Sequence, residues 1–368
     1  MIPLLSQYPG LKEKIPFVSL GEFPTPIEHM IELGTKIGTD HLYVKNEGLS
    51  GALYGGNKIR KLEFLLADAI KKKAKEILTF GFAGSNHALA TAVYANKMNI
   101  TCINILLEQP NAQYVRNNLQ FSFACNAELH HFKNEMPGYL ATLKRLIKGL
   151  IKHGKFPYII MPGGSSPLGT IGYVNAAFEL KEQIEKGLLP EPDQVFVPLG
   201  SMGTVAGLMI GFKAAGLKTR VIPVRVVDNK YANQEKLIKL CKKTLALIRS
   251  CDSSFPEVKI IDDEVDIMHD FFGEQYALFT DQGMAAVHLA AKTQGIKLDG
   301  TYTGKAMAAL IGHVKNHGTK NRVILFWNTY NAHDFSDTII SINYHHLPVG
   351  FHQYFERDVQ PLDSTHNK

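Results

Sequence analysis

The chain has 368 residues, 45% of them hydrophobic and 20% charged, with a formal net charge of +6. This length suits two domains, and the composition is that of a globular protein. No run approaches the roughly 18 to 20 apolar residues of a membrane span, and the densest lysine cluster, at 71–75, has no interleaved aromatic residues. We therefore predict neither a membrane nor a nucleic-acid partner.

Strand-like and helix-like segments alternate along the chain, which predicts an α/β fold with largely parallel sheets. The helix spacing is clearest at Leu62, Leu65, Leu66 and Ala69, which fall on one face. The polar end at 357–368 is expected to be loosely held. The predicted strands are 77–80, 100–107, 156–161, 195–197, 221–227 and 323–327, and the predicted helices are 62–70, 87–97, 171–186, 234–249, 283–294, 305–315 and one that begins at Thr204.

The cysteine and histidine patterns predict neither disulfides nor a metal site. Cys102, Cys125, Cys241 and Cys251 form no CxxC pair and are irregularly spaced, which favours a reduced, cytoplasmic setting. The first 17 residues have no secretory cleavage pattern. The histidines show no ligand spacing, and the pairs at 130–131 and 345–346 are expected at the surface.

The segment Gly55-Gly56-Asn57-Lys58 precedes the first strongly periodic helix. Its glycines permit a positive φ and a close approach of the backbone to a ligand. A lysine at a helix start, beside Arg60 and Lys61, has cationic neighbours that favour a lowered pKa and a nucleophilic amine. A simple turn with Lys58 in water explains the local pattern equally well.

A second glycine-rich segment, Gly200-Ser201-Met202-Gly203-Thr204, follows a predicted strand and opens a helix. Backbone N–H groups and hydroxyls in such a loop can hold a phosphate. The lysine of a nucleotide-hydrolysing P-loop is missing, and the spacing is not GxGxxG. The alternative is a tight strand-to-helix turn without a ligand.

Three further places carry polar side chains suited to a ligand. Ser85, Asn86 and His87 stand at a strand-to-helix junction, where an ordinary helix cap is the alternative. Tyr302 precedes a predicted helix and, like Tyr276, is a candidate acid, base or orienting group, or else a half-buried tyrosine satisfied locally. Thr329 ends a predicted strand, where ligands of open α/β sheets gather, although it is also explained as a strand-end hydroxyl.

Taken in order, these segments resemble one family, the D-cysteine desulfhydrase and 1-aminocyclopropane-1-carboxylate deaminase group of fold-type II pyridoxal-phosphate enzymes. The resemblance covers nearly the whole chain. It implies a tryptophan synthase β-like fold, in which residues 1–60 and 170–368 form a large cofactor-binding domain and 61–169 a small domain. It also implies a homodimer. The matching segments are 23–27 (FPTPI), 42–47 (LYVKNE), the lysine segment, 163–166 (GGSS), 169–177 and Thr329.

The resemblance also implies a role for each candidate residue. Lys58 would bind pyridoxal phosphate covalently and later move the substrate's Cα proton. Asn86 would bind the ring oxygen of the cofactor, and Thr329 would face the pyridine nitrogen. The remaining roles are the phosphate site (Gly200, Ser201, Met202, Gly203 and Thr204, with Asn57 and Lys61), the substrate carboxylate site (Ser85, Asn86 and His87) and the catalytic side chains (Ser85, Tyr276 and Tyr302 besides Lys58).

Two threonines indicate the reaction within this resemblance. The deaminase branch has a glutamate after its second tyrosine and a leucine near the ring, whereas this chain has Thr303 and Thr329. A hydroxyl near the pyridine nitrogen draws less charge into the ring than a carboxylate, which favours loss of a β-substituent. The expected reaction is elimination from a small amino acid, D-cysteine first, to give an oxo acid and ammonia.

Other residues depart from the family pattern. Tyr330 and Asn331 stand where two glycines are usual, Leu89 replaces a common arginine, and Met202 replaces a small residue. The alternatives are therefore a 1-aminocyclopropane-1-carboxylate deaminase, an amino-acid racemase or a non-catalytic protein that binds pyridoxal phosphate. A dinucleotide-dependent oxidoreductase is disfavoured because GxGxxG and its acidic ribose ligand are missing.

Overall fold

The computed structural model describes residues 2–317 and 321–364, and its strands form two separate sheets. Within those residues the strands are β1 (Ile27–His29), β2 (Leu42–Asn46), β3 (Glu76–Phe82), β4 (Thr101–Leu107), β5 (Glu128–Phe132), β6 (Tyr158–Ile160), β7 (Gln194–Leu199), β8 (Arg220–Arg225) and β9 (Ile324–Asn328).

Helices connect and flank these strands. Over the same residues they are α1 (Pro3–Gln7), α2 (Pro9–Lys14), α3 (Ile31–Ile37), α4 (Ile59–Lys71), α5 (Asn86–Lys97), α6 (Gln113–Ala124), α7 (Glu135–His153), α8 (Pro167–Glu185), α9 (Gly203–Ala214), α10 (Gln234–Cys251), α11 (Asp281–Gln294), α12 (Thr303–His317), α13 (Ser336–Ile339), α14 (Gln353–Glu356) and α15 (Pro361–Ser364), and short 3-10 turns occur at Glu47–Leu49, Pro162–Gly164, Asp262–Glu264, Tyr344–His346 and Val349–Phe351. None of the helices in this described part is both long and apolar enough to cross a membrane.

The chain divides into two compact units. The first contains the residues up to Phe64 together with Ser165–Ala332, and the second contains Leu65–Gly164 and the described residues from His333 on. We expected 333–364 in the large domain, whereas this segment belongs to the second unit. The assignment of a role to each domain stays a prediction.

The first unit is built on a five-stranded sheet of order β1-β2-β9-β7-β8, in which only β1 is antiparallel to its neighbour. Every residue of β7 and β9 is buried, as is usual for central parallel strands that helices cover on both faces. The second unit has a fully parallel four-stranded sheet of order β5-β4-β3-β6. The predicted α/β fold with mostly parallel sheets is confirmed.

Two local predictions are wrong. The end of the chain is not loosely held as far as Asp363, because the N–H of Gln360 donates to the carbonyl of Asn111 at 3.0 Å and Oδ2 of Asp363 accepts from the N–H of Gln113 at 2.5 Å. The rest of that prediction, at 365–368, lies outside the residues that the structure describes. The histidine pair at 130–131 lies half-buried on β5, where the ring of His131 contacts that of Phe351. The other pair, at 345–346, is exposed as expected.

Candidate active site

The lysine segment is held against the end of β9 by its own backbone. The N–H of Asn57 donates to the carbonyl of Thr329 at 3.1 Å, and the N–H of Gly55 donates to Oδ1 of Asn331 at 2.5 Å. Gly56 has φ +89°, and a Cβ there would lie 2.9 Å from the carbonyl oxygen of Thr329. Glycine is therefore required, because an L side chain would be strained by the φ and crowded by the strand.

Lys58 follows immediately, just before α4. Its Nζ donates to Oδ1 of Asn57 at 2.6 Å, and Nδ2 of Asn57 donates to Oγ1 of Thr204 at 3.0 Å. Burial lowers the pKa of Lys58 to about 8, against an opposing effect of the Asp299 carboxylate. Since a lower pKa leaves more of the nucleophilic free amine near neutral pH, this environment fits the amine interpretation of Lys58 rather than a lysine in water.

The loop Gly200–Thr204 follows β7, opens α9 and is tied together by a serine that the sequence analysis did not select. The hydroxyl of Ser165 accepts from the N–H of Gly203 at 3.1 Å and from Nζ of Lys61 at 3.3 Å, and it donates to Oγ of Ser201 at 2.8 Å. A Cβ on Gly203 would lie 2.6 Å from that hydroxyl and 3.0 Å from the lysine nitrogen. The GGSS motif at 163–166 was the signal for Ser165.

Lys61 places a buried amine at this loop. Its side chain is 1% exposed, and burial, followed by repulsion from Lys58, lowers the pKa of Lys61 well below its usual range. A buried ammonium beside the N-terminus of α9 is best stabilised by an anion, because helix N–H groups and the ammonium both favour negative charge. The N–H and hydroxyl donors and the buried amine of Lys61 therefore fit a phosphate group, whose negative charge would keep that amine protonated.

The two predicted tyrosines come together in the first unit. Their hydroxyls are hydrogen-bonded to each other, and their ring centroids are 6.1 Å apart in an edge-to-face arrangement. Burial, and then the neighbouring Tyr302, raise the pKa of Tyr276 well above its usual range, so this phenol is neutral at physiological pH. A Cβ on Gly200 would lie 3.6 Å from the ring of Tyr302, which places the pair beside the glycine loop.

Asp299 is a second residue that the sequence analysis did not select. Its Oδ1 accepts from the N–H groups of Tyr302 at 2.6 Å and Thr303 at 2.9 Å, so it caps α12 and fixes the backbone of Tyr302. Burial raises the pKa of Asp299, which also interacts electrostatically with Lys58 and Lys305. An aspartate three residues before the tyrosine was a recognisable capping signal.

Four charged side chains behind α4 form what we call the buried ion network (Lys45, Glu47, Arg60 and Glu179), each at most 4% exposed. Arg60 contacts Glu47 through Nε at 2.7 Å and Glu179 through Nη2 at 2.8 Å, and Nζ of Lys45 lies 2.7 Å from Glu179. The network ties the first turn of α4, just after Lys58, to β2 and α8. It therefore holds the first turn of α4, which directly follows the lysine segment, in a fixed position.

The second unit carries the remaining candidates in the Ser85 turn (Gly84–His87). Ser85 caps α5 by accepting from the N–H of Ala88 at 3.2 Å, so the cap interpretation is observed. Oδ1 of Asn86 accepts from Asn118 at 2.9 Å, and His87 is 2% exposed. The substrate roles of these residues stay predictions.

Comparison with known proteins places this fold in a class. A solved homologue of ACC deaminase is 30% identical with a TM-score of 0.75, and the match covers 90% of this chain and 97% of that one. Threonine deaminase isoform 2 from Solanum lycopersicum, at 17% identity and a TM-score of 0.59 over 92% and 85% of the two chains, shares the fold. The class is therefore the fold-type II α/β enzymes.

The family is shown by the sequence itself. Residues 18–329 match the family described as pyridoxal-phosphate dependent enzyme. D-cysteine desulfhydrases from Salmonella newport (strain SL254) and Salmonella typhi are each 35% identical over 329 residues, which is 87% of this chain and 95% of theirs. The chain belongs to the pyridoxal-phosphate dependent enzyme family, and the predicted family, enzyme class and cofactor are confirmed.

Proposed function

We propose that this enzyme eliminates the β-substituent of a small amino acid, with D-cysteine as the first candidate, and releases sulfide, an oxo acid and ammonia. The observation that carries the proposal is the 35% identity to D-cysteine desulfhydrases across 95% of their length. The threonines at 303 and 329, where the deaminase branch has glutamate and leucine, support the same reaction.

Lys58 has two tasks in this proposal. Its amine binds the cofactor, and its Nζ then accepts the Cα proton of the substrate. When bound, pyridoxal phosphate supplies an electron sink that stabilises the charge left at Cα. A pKa of about 8 suits proton transfer near neutral pH.

The other candidate residues would bind and orient the cofactor and the substrate. The loop of Gly200, Ser201, Met202, Gly203 and Thr204 binds the phosphate, and Asn57 and Lys61 contribute to that site. Thr329 would contact the ring nitrogen of the cofactor, and Asn86 would bind its ring oxygen. Ser85, Asn86 and His87 bind the substrate carboxylate.

The tyrosine pair would act on the departing sulfur, whereas Lys58 accepts the Cα proton. The hydrogen bond between Tyr276 and Tyr302 keeps one hydroxyl as donor and one as acceptor. Because the pKa of Tyr276 is raised well above its usual range, its hydroxyl stays protonated at neutral pH and can donate a hydrogen bond. We propose that it protonates the departing sulfur or orients it.

The colour of the protein and borohydride trapping of the cofactor test whether Lys58 binds pyridoxal phosphate covalently. The purified protein should be yellow, and borohydride should fix the cofactor to the peptide that contains Lys58. Lys305 is an internal control, because burial lowers its pKa to about 8 as well, yet its Nζ donates to the Phe272 carbonyl at 2.6 Å. Lys58→Ala should lose the covalent link and turnover, and keep its circular dichroism spectrum. Label on Lys305, or turnover by Lys58→Ala, would contradict the assignment.

Substrate trials test the reaction. Sulfide release from D-cysteine supports the proposal, and ketobutyrate release from 1-aminocyclopropane-1-carboxylate supports the deaminase alternative, which the 30% identical ACC deaminase homologue favours. Loss of chirality without elimination would identify a racemase. Cofactor binding without turnover would identify a non-catalytic protein.

We further propose a cytoplasmic homodimer. The described thiols are free, and burial raises the pKa of Cys125 to about 11 and of Cys241 to about 12. Such inert thiols suit a reducing compartment. Sedimentation equilibrium should give twice the chain mass of 40.9 kDa.

A further inference from the structure

The residues after the matched range 18–329 form a substantial structure in the second unit. We call residues 333–364 the C-terminal clasp. They lie against α6, where the rings of Phe121 and Phe335 stack at 4.3 Å and Gln120 donates to the carbonyl of Ile342 at 2.8 Å. Phe351 of the clasp is fully buried. The clasp is therefore a packed part of this unit.

Side chains at the start of α6 and just before it bind the clasp backbone. Nδ2 of Asn111 lies 2.9 Å from the carbonyl oxygens of Tyr354 and Arg357 and 3.1 Å from that of Asp358. Arg116 donates to two of the same carbonyls. These donors fix the position of Tyr354 relative to the strand end that precedes α6.

From Tyr354 a chain of hydrogen bonds leads to the Ser85 turn. The Tyr354 hydroxyl accepts from the backbone N–H of Gln109 at 3.1 Å. Oε1 of Gln109 accepts from the N–H of Gly84 at 2.8 Å, and its Nε2 donates to the hydroxyl of Tyr114 at 2.7 Å. Both Tyr354, which is 2% exposed, and Gln109, which is 7% exposed, are buried. Gln109 therefore connects Tyr354 of the clasp to Gly84 of the Ser85 turn through hydrogen bonds.

Helix α6 holds the same turn from a second side. Nδ2 of Asn118 lies 2.9 Å from the carbonyl of Gly84 and 2.9 Å from Oδ1 of Asn86. A Cβ on Gly84 would lie 2.7 Å from the ring of Tyr114 and 2.9 Å from Val115. The turn thus rests against α6, which the clasp covers.

We propose that the C-terminal clasp positions the Ser85 turn for substrate binding, with Tyr354 and Gln109 as the positioning residues. The inference rests on the proposed function in one respect, the assignment of Ser85 and Asn86 to the substrate carboxylate. The coupling from the clasp to the turn stands on the contacts within the second unit alone. A buried N–H that loses its acceptor is destabilised, so loss of the Tyr354 hydroxyl should be transmitted to Gly84 through Gln109.

Tyr354→Phe is the direct test, because it removes the hydroxyl and keeps the buried ring. Tyr158→Phe is the matched control. Tyr158 donates to Asp68 at 2.7 Å, and it lies on β6 beside Ile77, at the opposite end of β3 from the turn. Gln109→Met is a second variant that removes both side-chain hydrogen bonds with little change in length.

Two measurements on the holoenzyme separate the clasp from the proposed function. Hydrogen–deuterium exchange of peptides covering 83–90 should be faster in Tyr354→Phe and Gln109→Met than in Tyr158→Phe. KM for the best amino-acid substrate should rise about 2- to 10-fold in those two variants, with kcat and the cofactor absorbance unchanged.

Each outcome tests a different part of the proposal on the C-terminal clasp. Exchange equal to that of the control overturns the coupling, even if no amino acid is turned over and the proposed function fails. Faster exchange with an unchanged KM in both variants overturns the role in substrate binding. Faster exchange together with the raised KM supports the whole inference.

Discussion

Glu179→Gln tests whether the buried ion network stabilises the first unit. The carboxylate of Glu179 accepts hydrogen bonds from Nζ of Lys45 at 2.7 Å and from Nη1 and Nη2 of Arg60 at 2.9 and 2.8 Å. With glutamine there, two buried cations share the single carboxylate of Glu47. Removal of one partner from a buried ion pair costs about 3–5 kcal/mol, because the remaining charge is uncompensated.

The pKa of Glu179 gives an independent magnitude. Burial alone would raise it, but Arg60 and Lys45 lower the pKa of Glu179 from 4.5 to about 2. At about 1.36 kcal/mol per pKa unit, this depression corresponds to about 3 kcal/mol. Because the folded-state pKa lies below the unfolded one, the contribution is fully present above about pH 4.5 and is lost as the pH falls toward 2.

Thermal unfolding followed by circular dichroism is the assay. At pH 7, Glu179→Gln should lower Tm by about 6–20 °C, since 1 kcal/mol shifts a unit of this size by about 2–4 °C. The control is Glu185→Gln on the same helix, where a 62% exposed side chain lies 3.9 Å from Lys181; its cost should stay below about 1 kcal/mol. Equal Tm values for the two variants, or a difference that does not shrink in acid, would refute the reasoning.

Two further substitutions probe the site. Asp299→Asn keeps a helix-capping oxygen and removes the charge that favours the Lys58 ammonium, so the pKa of Lys58 should fall below about 8. The pH dependence of Lys58 acylation in cofactor-free protein measures this pKa. An unchanged or higher pKa would contradict the electrostatic role of Asp299. Gly203→Ala should weaken binding of pyridoxal phosphate about 5- to 150-fold, because its Cβ would crowd Ser165 and Lys61; an absorbance titration that gives the unaltered affinity would show that the loop is not the phosphate site.

Features that depend on local backbone chemistry were predictable from the sequence. The glycines at 56 and 203 mark places where the backbone approaches another group closely, and such places leave a signal in the residue type itself. The buried parallel strands at 195–197 and 323–327 were recognisable as short apolar runs, since both faces are covered by helices. Lys58 was a candidate because it stands between a glycine pair and a periodic helix, but only the resemblance of the ordered segments to one family favoured it over a simple turn.

Features that depend on pairing between distant segments were not predictable. Arg60 and Glu179 are 119 positions apart, and a charged residue in a sequence gives no sign that it will be buried and paired. The clasp was missed for the same reason, because its polar residues suggested solvent, whereas Asn111 and Arg116 bind its carbonyl groups. Strand β5 was missed because its two central histidines do not have the apolar character of a buried strand.

The departures from the family pattern have structural explanations that bear on the substrate. Asn331, where glycine is usual, accepts from the N–H of Gly55 and so holds the lysine segment. Leu89, where arginine is common, is fully buried on α5 among apolar residues. A substitution that packs the core or holds the backbone changes the support of a site rather than its chemistry. These two departures therefore leave the proposed elimination from a small amino acid in place, and Asn331 strengthens the assignment of Lys58 by fixing the turn that carries it.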